Sequence, residues 1–174
     1  MYSLYISLIL LLLPFSFAIS EIKVPNYDFS YNSLNLFMPG QTNSTLLKNN
    51  FFTSTMYEDN AQLKIWKHKF IKKNYSLDIY TQVKDDIILN TYVRLPQYFS
   101  HDQFLLELHK LFKKQNQYKR ENASALYLWE NAKGNKIIYQ ASCSITCFPM
   151  FIEIMDPKNN EQSFYQKFNA ALPK

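Results

Sequence analysis

The chain has 174 residues, a formal charge of +5 and 17% aromatic residues. Abundant aromatics with a modest net charge exclude a disordered chain. Only two glycines are present, so the Gly-rich phosphate loops of the common nucleotide enzymes are excluded too.

The charge is almost wholly lysine, with Arg94 and Arg120 as the only arginines. Phosphate and nucleic-acid sites lean on the planar fork of arginine, so nucleic acid is disfavoured as a partner and the lysines read as a solvating surface. Residues 1–18 contain no Asp, Glu, Lys or Arg, and Leu8 to Leu13 is an unbroken apolar run. Ser16-Phe17-Ala18 then offers small residues where a signal peptidase cuts, so residues 1–18 are expected to be a signal peptide removed after Ala18. The usual positive residue ahead of the run is missing. The run is shorter than the roughly 20 residues of a membrane span, and membrane association is expected only through an uncleaved leader. The expected location is exported, either periplasmic or secreted. The remaining chain, about 156 residues, is one domain's worth.

Residues 19–60 carry apolar side chains with no sustained period. They are expected to form an irregular N-terminal segment with one or two short strands or a short helix. From Gln62 the pattern becomes β-rich. Leu63 to Lys72, Tyr75 to Val83 and Ile87 to Leu95 are three runs separated by polar turns, a meander with one covered face. Leu77, Ile79, Thr81 and Val83 share one face; Ile87, Leu89, Thr91, Val93 and Leu95 share another of the same kind. Ser100-His101-Asp102-Gln103 has the form of a capping box. Phe104, Leu105, Leu108, Leu111 and Phe112 then repeat at helical spacing, which predicts a helix ending near Tyr118.

A hairpin follows. Ala125, Tyr127 and Trp129 alternate with Leu126 and Leu128, and Ile137, Tyr139 and Ala141 resume after Ala132-Lys133-Gly134-Asn135. Gly134 supplies the positive φ that such a loop wants. A further short strand is expected over 148–154. Asp156-Pro157 then reads as the start of a last helix with Phe164, Phe168 and Leu172 on one stripe. The order predicts an α+β fold: an antiparallel β-sheet in β-β-β-α-β-β-α order, one central amphipathic helix packed on one face, and a C-terminal helix. Residues 61–174 would form that domain.

Two cysteines in an exported chain favour a disulfide between Cys143 and Cys147. Fully extended, residues four apart would be about 13 Å from each other, so either the chain bends sharply between them or these two thiols do not pair with each other. The rival reading is a thiol redox or copper-handling protein, in which Cys143, Cys147, Met150 and Met155 offer soft ligands to Cu(I). The context is strand, with one residue more than C-x-x-C, so the low-pKa thiol of a redox helix is not signalled. A secreted hydrolase stands third, because His68, His101 and His109 fall in no protease pattern and the carboxylates are scattered. His68, among lysines, reads as solvated. Lys64, Trp66, Tyr80, Tyr92 and Arg94 make a candidate binding surface, since aromatics beside cations can hold a glycan or an anionic polymer. The alternative is that the N-terminal segment or the last helix covers them. Three sequons, at Asn43, Asn74 and Asn122, could carry glycans in a eukaryotic secretory pathway. The expected function is that of an exported, non-enzymatic binding protein with no cofactor, its partner a protein or an anionic polymer.

Overall fold

A computed structural model of the protein describes residues 29–60, 62–73, 75–96, 100–143, 147–159 and 163–164. The expected leader, and Phe168 and Leu172 of the expected last helix, lie outside the described residues.

One eight-stranded antiparallel sheet dominates the molecule. Its strands are β1 (Phe52–Asp59), β2 (Lys64–Ile71), β3 (Ser76–Lys84), β4 (Ile87–Arg94), β5 (Gln117–Glu121), β6 (Ser124–Ala132), β7 (Asn135–Cys143) and β8 (Cys147–Met155). They lie in the order β1-β2-β3-β4-β8-β7-β6-β5. Two four-stranded meanders therefore run outward from a central antiparallel contact between β4 and β8, where Val93 faces Ile152 and Thr91 faces Ile154. The helical elements are small: a 3-10 helix over Tyr31–Phe37, α1 (Asn43–Leu47) and α2 (His101–Phe112). None of the helices among the described residues is long and apolar enough to cross a membrane.

The expected α+β class, a sheet with a central helix laid across it, is thereby corrected. About half of the described residues are in strands. Three local facts account for the difference. β1 is built from Phe-Thr-Ser-Thr-Met-Tyr-Glu-Asp, and only Phe52 of it is buried. As an edge strand it has no need of a strict alternation of apolar residues. β5 is exposed along its whole length and sits where the helical stripe was extrapolated. β8 is a full nine-residue strand in the middle of the sheet. The β1–β2 pairing also carries the sheet across the boundary expected at residue 61.

α2 starts as the sequence predicts, with the Ser100 side chain accepting from the Gln103 N–H at 3.4 Å. It stops at Phe112 because Lys113 turns to φ +65°, ψ −165°, and the Lys-Lys-Gln-Asn stretch beyond offers no apolar face. Trp129 holds that turn by donating its Nε1–H to the Lys113 carbonyl at 3.0 Å. Side chains other than glycine reach this backbone region only at a cost of about 1–3 kcal/mol. Lys113→Gly is expected to raise the thermal midpoint by a few degrees, about 1 kcal/mol after the extra chain entropy of glycine. An unchanged or lower midpoint in a calorimetric scan would contradict it.

One face of the sheet carries the main core. Leu77, Ile79, Val93, Ile152, Ile154, Ile137, Tyr139 and Trp129 lie on it, covered by Leu34, Phe37, Leu46, Phe104 and Leu108 from the helices. Phe104 meets Tyr139 edge-on at 5.5 Å, and Glu107 of α2 accepts the Tyr31 N–H at 3.0 Å, tying α2 to the 3-10 helix. A bulge shifts the β3–β4 register between Gln82 and Val83. Past it Ile88 is buried and Ile87 is exposed, which breaks the single face expected from Ile87 to Leu95.

The tight turns follow the residues. Lys133 and Gly134 both have positive φ in the β6–β7 turn, as do Asp85 and Asp86 in the β3–β4 turn. Two consecutive positive φ values match the right-handed twist of the flanking strands. Asp156 does not start a helix: its carboxylate accepts the Lys158 N–H at 2.9 Å and its carbonyl accepts the Asn159 N–H at 3.0 Å, making a local turn.

Candidate binding cleft

A cleft of about 390 Å³ opens at the end of the sheet where α1, the β1–β2 connection, β2 and the β3–β4 turn meet. Its inner wall is Asn43, Val83 and Trp66; its rim is Leu47, Asn60, Gln62, Lys64, Asp85 and Asp86. Asp86 builds one side. Its carboxylate accepts the Ser44 N–H at 2.9 Å and the Ser44 hydroxyl at 2.6 Å, and its carbonyl accepts the Asn43 N–H at 2.8 Å. The β3–β4 turn therefore fixes α1, and α1 fixes Asn43. On the other side Asn60 Oδ1 accepts the Leu63 N–H at 2.8 Å, which shapes the connection into β2.

Among the described residues, two buried side-chain atoms of cleft-lining residues have no hydrogen-bond partner: Trp66 Nε1, a donor, and Asn43 Oδ1, an acceptor. Asn43 is only 4% exposed. A buried polar group left without a partner costs about 1–3 kcal/mol, and both atoms lie closed to solvent beneath the cleft surface. The burial of Asn43 also removes its sequon from consideration as a glycan site in the folded chain, while Asn122 sits exposed in the β5–β6 turn.

The five residues of the expected binding surface are not brought together. Lys64 and Trp66 line the cleft, on the side of the sheet that carries the main core. Tyr80 and Tyr92 lie on the opposite face, paired across β3 and β4, and Arg94 follows Tyr92 on that face, opposite Phe151. Tyr92 stacks on Phe151 at 5.5 Å and is 6% exposed, with Phe164 5.9 Å away. The C-terminal segment thus covers these aromatics through Phe164. Beneath it Glu153 is buried, accepting from Asn90 Nδ2 at 2.7 Å and from the Phe164 N–H at 2.6 Å.

The soft-ligand cluster is dispersed as well. Met150 and Met155 are five residues apart in β8, so their side chains leave opposite faces of the sheet. Met150 is in the main core, where its sulfur accepts from the Tyr139 hydroxyl at 3.3 Å. Among the described residues no group of three His, Cys, Asp or Glu is placed to hold a metal ion. The backbone register sets Cys143 opposite Cys147 across β7 and β8.

His68 is fully buried, contrary to the solvated position expected of it. Ser54 Oγ lies 2.8 Å from its Nδ1 and Thr81 Oγ1 lies 2.9 Å from its Nε2. A serine beside a histidine invites a nucleophile-and-base reading. The surroundings argue against it: the Phe37 and Phe52 rings pack on the imidazole at 5.4 and 5.6 Å, and burial pushes its pKa down to about 4. Such an imidazole is a weak base with no room for a substrate, and its role is to satisfy two hydroxyls inside the core. His101 is likewise placed against a tyrosine, 2.8 Å from the Tyr139 hydroxyl, with its pKa lowered chiefly by burial.

Asn43, Asn60 and Gln62 carried no signal in the sequence as cleft residues. The nearest hint was the Asp85-Asp86 turn, whose second carboxylate turns out to reach across to α1. Compared with protein-family models, with curated proteins and with solved structures, the chain shows no match.

Proposed function

We propose that the chain is an exported binding protein without a catalytic role, and that the cleft beside Trp66 is where it holds a small polar ligand. The observation that carries this reading is the cleft itself, about 390 Å³, with the polar side chains of Asn60, Gln62, Lys64, Asp85 and Asp86 around the Trp66 ring. A concave site with a small number of placed polar groups beside apolar wall is the usual form of a ligand pocket. Purified full-length chain screened against small polar molecules should show saturable binding with the bound molecule recovered unchanged. Conversion of the bound molecule to product would overturn the non-catalytic reading.

Export rests on the residues of the leader, and it gives the cysteines their role. Directly opposed residues of an antiparallel pair have Cα atoms about 4.5–5.5 Å apart, within the range of about 4.4–6.8 Å that a disulfide requires. Cys143 and Cys147 stand in that relation, which favours a structural bond over the redox or copper reading. Protein recovered from the exported fraction should begin at Ile19 and show no reactive thiol until reduced. An intact leader and two reactive thiols in the native protein would contradict both statements.

A further inference from the structure

We infer that the chain pairs with a second copy of itself along β1, the two strands running antiparallel about a two-fold axis at Ser54. The sheet ends on β1 and β5. An edge strand offers a row of unpaired N–H and C=O groups, and short length and charge are the usual guards against pairing there. β5 is guarded: it has five residues, among them Lys119, Arg120 and Glu121. β1 has eight, and Phe52 to Tyr57 carry no charge. No strand lies beyond it among the described residues. Apolar side chains stand in the open beside this edge. Phe51 is 79% exposed, Ile71, one step past the Phe52–Phe70 pair, is 64% exposed, and Met56 and Tyr57 are exposed as well.

The strand itself points to a second copy as the occupant. β1 pairs with β2 without interruption from Phe52 to Met56, and a bulge follows at Tyr57. Bulges terminate or re-aim pairing, so the regular stretch on offer is those five residues. Laid antiparallel on itself, it sets Ser54 opposite Ser54, Thr53 opposite Thr55 and Phe52 opposite Met56. Threonine pairs and apolar pairs are favourable across such a ladder. In the same register Phe51 falls opposite Tyr57 of the second copy, whose ring meets Tyr80 edge-on at 5.4 Å. Phe51, Met56 and Tyr57 thereby all gain apolar partners. Charge agrees. The strand ends on Glu58-Asp59, whereas Lys48 precedes its start and Lys72 follows the end of β2 beside that start. The two-fold axis brings the acidic end of each copy to the basic end of the other; a parallel pairing would set like charges together.

The test is sedimentation equilibrium of the full chain over a range of concentrations. A reversible monomer–dimer equilibrium is expected, half complete at roughly tens of micromolar, as suits a small interface. Thr53 and Thr55 are exposed, so charge placed there spares the core, which the thermal midpoint of each variant checks. Thr53→Lys and Thr55→Lys in one chain set like charges opposite each other twice and should weaken dimerisation about tenfold or more. Thr53→Glu with Thr55→Lys sets opposite charges there and should strengthen it severalfold. Phe51→Ser, just outside the strand, should weaken it severalfold. Leu106→Ser, exposed on α2, should leave it unchanged. A natural chain that stays monomeric at every concentration overturns the proposal and leaves the edge to a strand of a different protein. A dimer that survives the double lysine variant overturns the edge as its interface. Equal weakening by both charge variants overturns the register.

Discussion

Acidification from pH 7.5 to 4.5 is expected to cost the fold roughly 2–3 kcal/mol through His68 alone. The imidazole titrates near 6.5 in the unfolded chain and at about 4 in the folded one, because it is buried between Phe37 and Phe52. Its folded pKa is depressed, so between these values the unfolded chain binds the proton and the folded chain does not. The contribution is complete above pH 6.5, declines as the pH falls through the window, and levels off below 4. His101 is lowered by burial and acts in the same direction, while Glu107, raised chiefly by burial, acts in the opposite one. The side chains that hydrogen-bond to His68, Ser54 and Thr81, are neutral. His68→Gln keeps a polar side chain between the two hydroxyls and cannot titrate. The difference in unfolding free energy between pH 7.5 and 4.5, measured by urea denaturation, should shrink by most of that amount in the variant. An equal difference in both chains would show that His68 is not buried neutral.

Truncation of Trp129 should be the most damaging single change in the second meander. The side chain is 2% exposed, packs on His109 at 5.9 Å, and closes α2 through the Lys113 carbonyl. Trp129→Ala removes a large buried ring and leaves a carbonyl without its donor, at about 3–5 kcal/mol. That is a large share of the 5–15 kcal/mol typical of a domain. Trp129→Phe keeps most of the ring and loses the N–H, so about 1–2 kcal/mol is expected. The two losses should be read from chemical denaturation at neutral pH. Near-equal losses would mean that the hydrogen bond to the helix end, and not the packing, holds this region.

What the sequence makes legible is the part of the chain whose burial follows one period. β2, β3 and β4 lie close to their expected bounds because residues such as Leu77, Ile79 and Thr81 alternate along the strand up to the bulge at Gln82. The hairpin at Lys133-Gly134 is visible because its turn needs positive φ and carries a glycine. Edge strands are a different matter. In β5 all five residues are exposed, so no alternation marks them, and in the sequence the preceding helical stripe runs on into lysines and glutamines. β1 is similar, with register set by partners such as Ser54 opposite His68 that no local pattern shows. The burial of His68 is invisible for the same reason, since Lys67 and Lys69 beside it point to the other face. The cleft is the least legible feature of all. It is assembled from α1, β2 and two turns, and Asn43 and Trp66, 23 positions apart in sequence, meet only because Asp86 docks α1 onto the sheet.

The chain has two tryptophans, so the indole N–H region of a proton–nitrogen NMR spectrum holds one signal from Trp66 and one from Trp129. Trp129 already donates to the Lys113 carbonyl, and Trp66 lines the cleft. Titration with a small polar molecule that binds should shift the Trp66 signal progressively to saturation and leave the Trp129 signal in place. A Trp66 signal that stays fixed while that molecule binds would contradict the account of the cleft.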